Sequence, residues 1–241
     1  MTRMLASVVD IQEAETAIHA GADIIDLKNP LAGALGALPI EQVRSIVDRI
    51  AQRRPVSATI GDLPADPATL TEAIHNTAAT HVDYVKVGFF SNENLDECLR
   101  SIADITAGRA IIAVLFADRN PPLDRLAEFA EAGFRGVMLD TADKQKGHLL
   151  EHIEVNRLSR FIAKAGDLEL LSGLAGSLRL QDIPRLLPLN PDYLGFRGAL
   201  CEHSSRVGRI ESARLTSIRT AVQNRPVISN EGKVALTHDI G

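Results

Sequence analysis

Asp26 and Lys28 lie two residues apart in an apolar run, residues 24–28, that breaks at Asn29-Pro30 into a glycine-rich loop. Side chains alternate along a strand, so the carboxyl and the amine point the same way. A lysine at the end of a buried strand is partly desolvated, and burial lowers its pKa. A free amine beside a carboxylate is a candidate Schiff-base nucleophile. The segment DYVKVG supplies a second strand lysine, Lys86, and GVMLD delivers Asp140 at the end of another apolar run, with Lys144 four residues further on. Ammonium groups crowded together repel, and each leaves more of the other as free amine. Asp26 and Asp140 oppose that shift and serve as proton carriers. The set reads as carbonyl chemistry.

Small residues follow two further apolar runs: Gly173, Gly176 and Ser177 in SGLAGS, and Gly195, Arg197 and Gly198 in GFRG. Backbone N–H groups at such turns bind anions, and an arginine adds a fork of donors. The expected substrate is therefore a phosphorylated small molecule. Two other patterns lead nowhere. His148, Glu151 and His152 spell the H-x-x-E-H spacing of zinc proteases, but on a helix expected outside the core and with no third ligand in a supporting context, so no metal is expected. The stretch 33–36 matches neither a dinucleotide fingerprint nor a phosphate-binding P-loop.

These side chains need strands that end together. Strand-like runs fall at residues 3–9, 24–28, 56–60, 84–87, 110–116, 136–139, 168–171 and 193–196. Helical patterns fall between them at 11–20, 39–53, 67–80, 92–106, 122–132, 149–165 and 181–187, with a last helix at 210–222. Eight regular alternations predict an α/β fold, a parallel (β/α)8 TIM barrel in a single domain over 1–222, followed by a loosely ordered tail at 223–241. Active sites of such barrels lie at the carboxyl ends of the strands, with phosphate held after strands seven and eight. On these boundaries strands two, four and six end in Lys28, Lys86 and Asp140.

A chain of 241 residues with 45% hydrophobic residues is long enough for one sizeable core. A net charge of −5 gives no general attraction to nucleic acid or to an anionic membrane. Cys98 and Cys201 are far apart and outside any CxxC spacing, which suits a reducing cytoplasm. No apolar run approaches a membrane span and no secretory leader is evident, so a cytoplasmic protein acting on a small molecule is expected, with room for a homo-oligomer.

ADIIDLKNP followed by GALGA, then VSATIGD, DYVKVG, VMLDTADK, LAGS, and FRGA with GRI beyond it, resemble the (5-formylfuran-3-yl)methyl phosphate synthases of methanofuran biosynthesis. The blocks run in order from about Leu5 to Leu215. The resemblance implies a class I aldolase-like barrel that condenses two glyceraldehyde 3-phosphate molecules into a furan aldehyde phosphate, losing phosphate and water, without a cofactor. It implies Lys28 as the Schiff-base lysine, with Asp26, Lys86, Asp140 and Lys144 as its catalytic companions. Two rivals stand beside it. One is an ordinary Schiff-base aldolase acting on a sugar phosphate; the other is a sugar-phosphate-binding barrel without catalysis.

Overall fold

Strand and helix alternate because apolar β-branched runs are punctuated by helix caps and glycine or proline breaks. Asp10 caps the first helix by accepting from the Glu13 amide, and Asp66 caps the third from Thr69, with Pro67 in the favoured first turn. A computed structural model describes residues 1–224 of the chain. The strands are β1 (Arg3–Val8), β2 (Ile24–Leu27), β3 (Val56–Thr59), β4 (Tyr84–Phe89), β5 (Ile111–Phe116), β6 (Gly136–Asp140), β7 (Leu171–Leu174) and β8 (Tyr193–Phe196). They form a closed parallel barrel in sequence order, with Arg3 of β1 in register with Tyr193 of β8.

The helices are α1 (Ile11–His19), α2 (Ile40–Ile50), α3 (Pro67–Ala78), α4 (Leu95–Ala103), α5 (Leu126–Glu131), α6 (Leu149–His152), α7 (Val155–Asp167), α8 (Ile183–Leu186) and α9 (Ser212–Gln223). Two apolar cores result. The larger lies between the barrel and the helices, where α2 buries Val43, Ile46 and Ile50 at i, i+3 and i+7. Burying each such side chain stabilises the fold by about 1.5–3 kcal/mol. The smaller fills the barrel's inside with Leu5, Ile24, Ile112, Val114, Met138 and Tyr193. Apolar side chains thus fill the inside of the barrel.

Several boundaries differ from those expected, among them α4, which spans Leu95–Ala103 rather than 92–106, and α5, which spans Leu126–Glu131 rather than 122–132. β7 lies at Leu171–Leu174 rather than 168–171, because α7 runs on to Asp167 and the chain then turns through Glu169 at φ 57°. The helix expected over 149–165 is two helices, broken where Ile153 turns extended at φ −142° and ψ 132°. β4 continues to Phe89, so Lys86 stands in mid-strand and not at its end. The last helix starts at Ser212, after two one-turn 3-10 helices over Gly198–Leu200 and Glu202–Ser204. The tail expected at 223–241 begins with Gln223, the last residue of α9; residues 225–241 lie outside the described residues. No helix among the described residues is long and apolar enough to cross a membrane.

Candidate active site

The site is built in two tiers. In the lower tier Asp26 of β2 is completely buried, and the strand register sets Ser7 of β1 and Ser57 of β3 on either side of it. Ser57 Oγ donates at 2.6 Å, Ser7 Oγ at 2.8 Å and Lys86 Nζ at 2.9 Å, so three donors saturate the carboxylate. Burial alone would raise the Asp26 pKa, yet the charges of Lys86 and Lys28, with the Ser57 hydrogen bond, hold it below the ordinary carboxylate value. Sequence reasoning missed both serines, although each is the polar residue in an apolar strand directly beside Asp26.

In the upper tier Lys28 follows the end of β2 and Asp140 ends β6, with Lys28 Nζ 4.0 Å from Asp140 Oδ2. Lys144 Nζ donates to the other oxygen of Asp140 and, at 3.3 Å, to Thr141 Oγ1. The loop carrying Lys144 is tied down by Asp118, whose carboxylate accepts from the amides of Ala142 at 2.7 Å and Asp143 at 2.8 Å. Burial pushes Lys28 down to about 8; Asp140 resists that shift and the Lys144 charge reinforces it. Burial would raise Asp140, but Lys144 and Lys28 overcome it and hold Asp140 at about 2. Near neutral pH the tier combines a partly free amine and a firmly ionised carboxylate, with the Lys144 ammonium hydrogen-bonded to that carboxylate.

A cleft of about 970 Å³ opens on these groups, lined by Lys28, Lys86, Asp140 and Lys144. Asp26 is not part of its wall: it shares the parity of Lys28 but lies one tier below, hydrogen-bonded to Lys86, and its charge favours the Lys28 ammonium. The glycine loops fare unequally. Gly176, at φ 104°, and Ser177, at φ 52°, turn the chain at the cleft, joined by Gly195 and Gly198. The amides of Gly176, Ser177, Gly198 and Ala199 meet no acceptor among the described residues.

Gly173 and Arg197 differ from their expected use. The three-residue shift of β7 puts Gly173 inside the strand, away from the cleft wall, where an added Cβ would stand 2.3 Å from Tyr193 Cζ; it is a glycine because the tyrosine ring covers it. Arg197 reaches the cleft wall, but its donors are engaged within the protein. Nη1 donates to Glu13 Oε2 at 2.5 Å and to the Ser7 carbonyl at 3.1 Å, Nε to the Arg206 carbonyl at 2.8 Å, and Nη2 to the Gly208 carbonyl at 2.9 Å and Glu13 Oε1 at 3.4 Å. A guanidinium with its fork so filled organises the loop after β8 and has no donor left for phosphate. Nothing local in the sequence foretells this, since Glu13 lies 184 residues away.

His148 and His152 are not on one helical face. His148 precedes α6 as its cap, with Nε2 3.1 Å from Glu151 Oε1 and Nδ1 3.8 Å from Asp182 Oδ2. Among the described residues, no group of three or more His, Cys, Asp or Glu side chains is arranged to hold a metal ion.

A (β/α)8 barrel that gathers three amines and two carboxylates in its interior and at the carboxyl ends of its strands, beside unpaired glycine-loop amides, defines a barrel enzyme for a small molecule. Residues 4–219 match the 4-HFC-P synthase family, and the chain belongs to that family. A Methylorubrum extorquens protein provisionally named (5-formylfuran-3-yl)methyl phosphate synthase is 43% identical over 224 residues, which cover 93% of each chain. The (5-formylfuran-3-yl)methyl phosphate synthase of Methanopyrus kandleri is 35% identical over 216 residues, 85% of this chain and 91% of its own. Among solved structures, phosphoribosyl anthranilate isomerase from Thermus thermophilus superposes with a TM-score of 0.67 over 92% of this chain and 98% of its own, at 14% identity, which is a likeness of fold alone.

Proposed function

We propose that the chain condenses two molecules of glyceraldehyde 3-phosphate into (5-formylfuran-3-yl)methyl phosphate, releasing phosphate and two waters, for a methanofuran or a similar one-carbon carrier. One aldehyde first isomerises to the ketone. The Lys28 amine then attacks that ketone, water leaves, and the resulting iminium serves as the electron sink from which a carbon proton departs to give an enamine. The enamine carbon attacks the aldehyde of the second triose; hydrolysis of the iminium, ring closure and the eliminations complete the furan. No cofactor is needed on this route.

Lys86, with Asp26 beneath it, sits where it can exchange protons with the Lys28 adduct and keep its amine poised. Asp140 and Lys144 form the acid–base pair for the eliminations: the carboxylate takes the carbon proton, the lysine gives one to the departing oxygen, and the proton then held by Asp140 passes across their hydrogen bond to Lys144. The amides of Gly176, Ser177, Gly198 and Ala199 suit the retained phosphate. The observation that carries the reading is Lys28: a buried amine lowered to about 8, 4.0 Å from Asp140, opening on a cleft in a chain of the synthase family.

The test is product formation. Incubated with glyceraldehyde 3-phosphate, the chain should generate a furan absorbance and a product of the furan phosphate's mass. Lys28→Arg, which keeps the charge but supplies no free amine, should lower that rate by at least about 1,000-fold while the fold persists. Near-normal furan production by Lys28→Arg would remove Lys28 as the nucleophile.

A further inference from the structure

Two triose phosphates bring two phosphate groups, each carrying roughly −1.5 to −2 charge near neutrality. The acid–base tiers cannot balance them: three amines against two carboxylates leave a single positive charge. The cleft, at about 970 Å³, is large for one three-carbon phosphate and stands at the upper end of small-molecule pockets. A second phosphate therefore calls for another cation at the cleft, with donors to spare.

Four arginines line the cleft, and the structure sorts them. Arg197 is filled by Glu13 and backbone carbonyls. Arg214 is held by Glu211 at 2.5 Å, and Arg179 is exposed on the rim. Arg206 is half-buried: its Nη2 donates to the Gly33 carbonyl at 2.7 Å, while Nε and Nη1 meet no acceptor among the described residues. Its backbone is fixed, since its carbonyl accepts from Arg197 Nε in the buried Glu13–Arg197 assembly. The side chain leaves the loop after β8 and ends against the loop after Lys28, so it lies on a different edge of the mouth from the Gly176–Ser177 turn after β7.

We infer that Arg206 forms a second anion subsite, which binds the phosphate of the incoming aldehyde triose and orients its carbonyl toward the Lys28 enamine. The inference rests on the condensation proposed above. A guanidinium with two unpaired donors matches the oxygens of a phosphate. The Gly33 hydrogen bond holds it in place beforehand, so little side-chain freedom is lost on binding.

The experiment pairs dihydroxyacetone phosphate, as the ketone on Lys28, with either glyceraldehyde 3-phosphate or unphosphorylated glyceraldehyde, and counts the six-carbon adduct by mass after borohydride quench. The wild-type chain should prefer the phosphorylated aldehyde by about 30- to 100-fold in kcat/KM. Arg206→Gln should bring that preference to within about 5-fold, through loss with the phosphorylated aldehyde alone. Arg206→Lys, which keeps the charge without the fork, should fall between the two and covers the case in which the glutamine variant does not fold. If both aldehydes lose rate by the same factor, Arg206 only props the loop at Gly33 and the assignment is overturned; an unchanged preference overturns it equally. Failure of the Schiff-base reading shows separately, as absence of the ketone adduct on wild-type Lys28 before any aldehyde is added, and it takes this subsite with it.

Discussion

Lys28 is set by burial and by charged neighbours acting in different directions. Burial makes its ammonium costly, Asp140 at 4.0 Å makes it cheaper, and Lys144 makes it costlier again, leaving a pKa of about 8. At pH 7 about a tenth of the lysine is then free amine, against far below 1% for an exposed lysine. In the Schiff-base mechanism kcat/KM should rise about tenfold per pH unit below 8 and level off above it. The variants should move that limb in opposite senses: Lys144→Met removes a cation and raises it, whereas Asp140→Asn removes an anion and lowers it, each by about a unit or less, as read from a pH–rate profile of adduct formation. Asp26, Lys28 and Asp140 are legible in sequence because strand parity and strand ends determine where such groups point; Lys144, on a loop, is legible only through the family resemblance. Arg197 is not, because its use is decided by Glu13 on another element, and Arg206 stands out only when Arg197 and Arg214 are seen to be engaged and Arg179 exposed.

Between strands, the Asp26–Lys86 pair links β2 to β4 inside the barrel, with Ser7 and Ser57 completing the carboxylate's shell from β1 and β3. Removing one partner leaves a buried charge with too few donors. Lys86→Met should therefore cost about 3–5 kcal/mol, read as a lower urea midpoint at unchanged slope, and adding Asp26→Leu should restore most of it. A Lys86→Met protein as stable as the wild type would mean that the pair is not desolvated in solution. Most element positions were readable from apolar runs and caps. The exceptions have local causes: Glu169 in the left-handed region moves β7 by three residues, and Ile153 in the extended region splits one helix into two. Neither residue type announces such a backbone, and the first of these shifts is what took Gly173 out of the expected phosphate loop.

For the whole molecule, the closed ring of eight strands turns residues from β2, β4 and β6 into one site, and its charges couple that site to global stability. Asp140 at about 2 and Asp26 below its ordinary value both have folded pKa values depressed relative to the unfolded chain. Their contribution is fully present above the unfolded carboxylate pKa near 4 and is lost as pH falls through the folded values. Asp140 alone accounts for on the order of 2 kcal/mol. Urea midpoints should thus drop between about pH 4 and pH 2, and Asp140→Asn should flatten that drop. The barrel was readable from its alternation, and the family from its ordered blocks; the two-tier division was not, because it depends on how far β4 extends past Lys86. The measurement to make first is the intact mass and peptide map of the chain after incubation with glyceraldehyde 3-phosphate and borohydride. A single reduced triose phosphate adduct on Lys28, with furan absorbance rising in the unreduced reaction, is the expected result. A chain that makes the furan while no lysine is modified would contradict the Schiff-base mechanism.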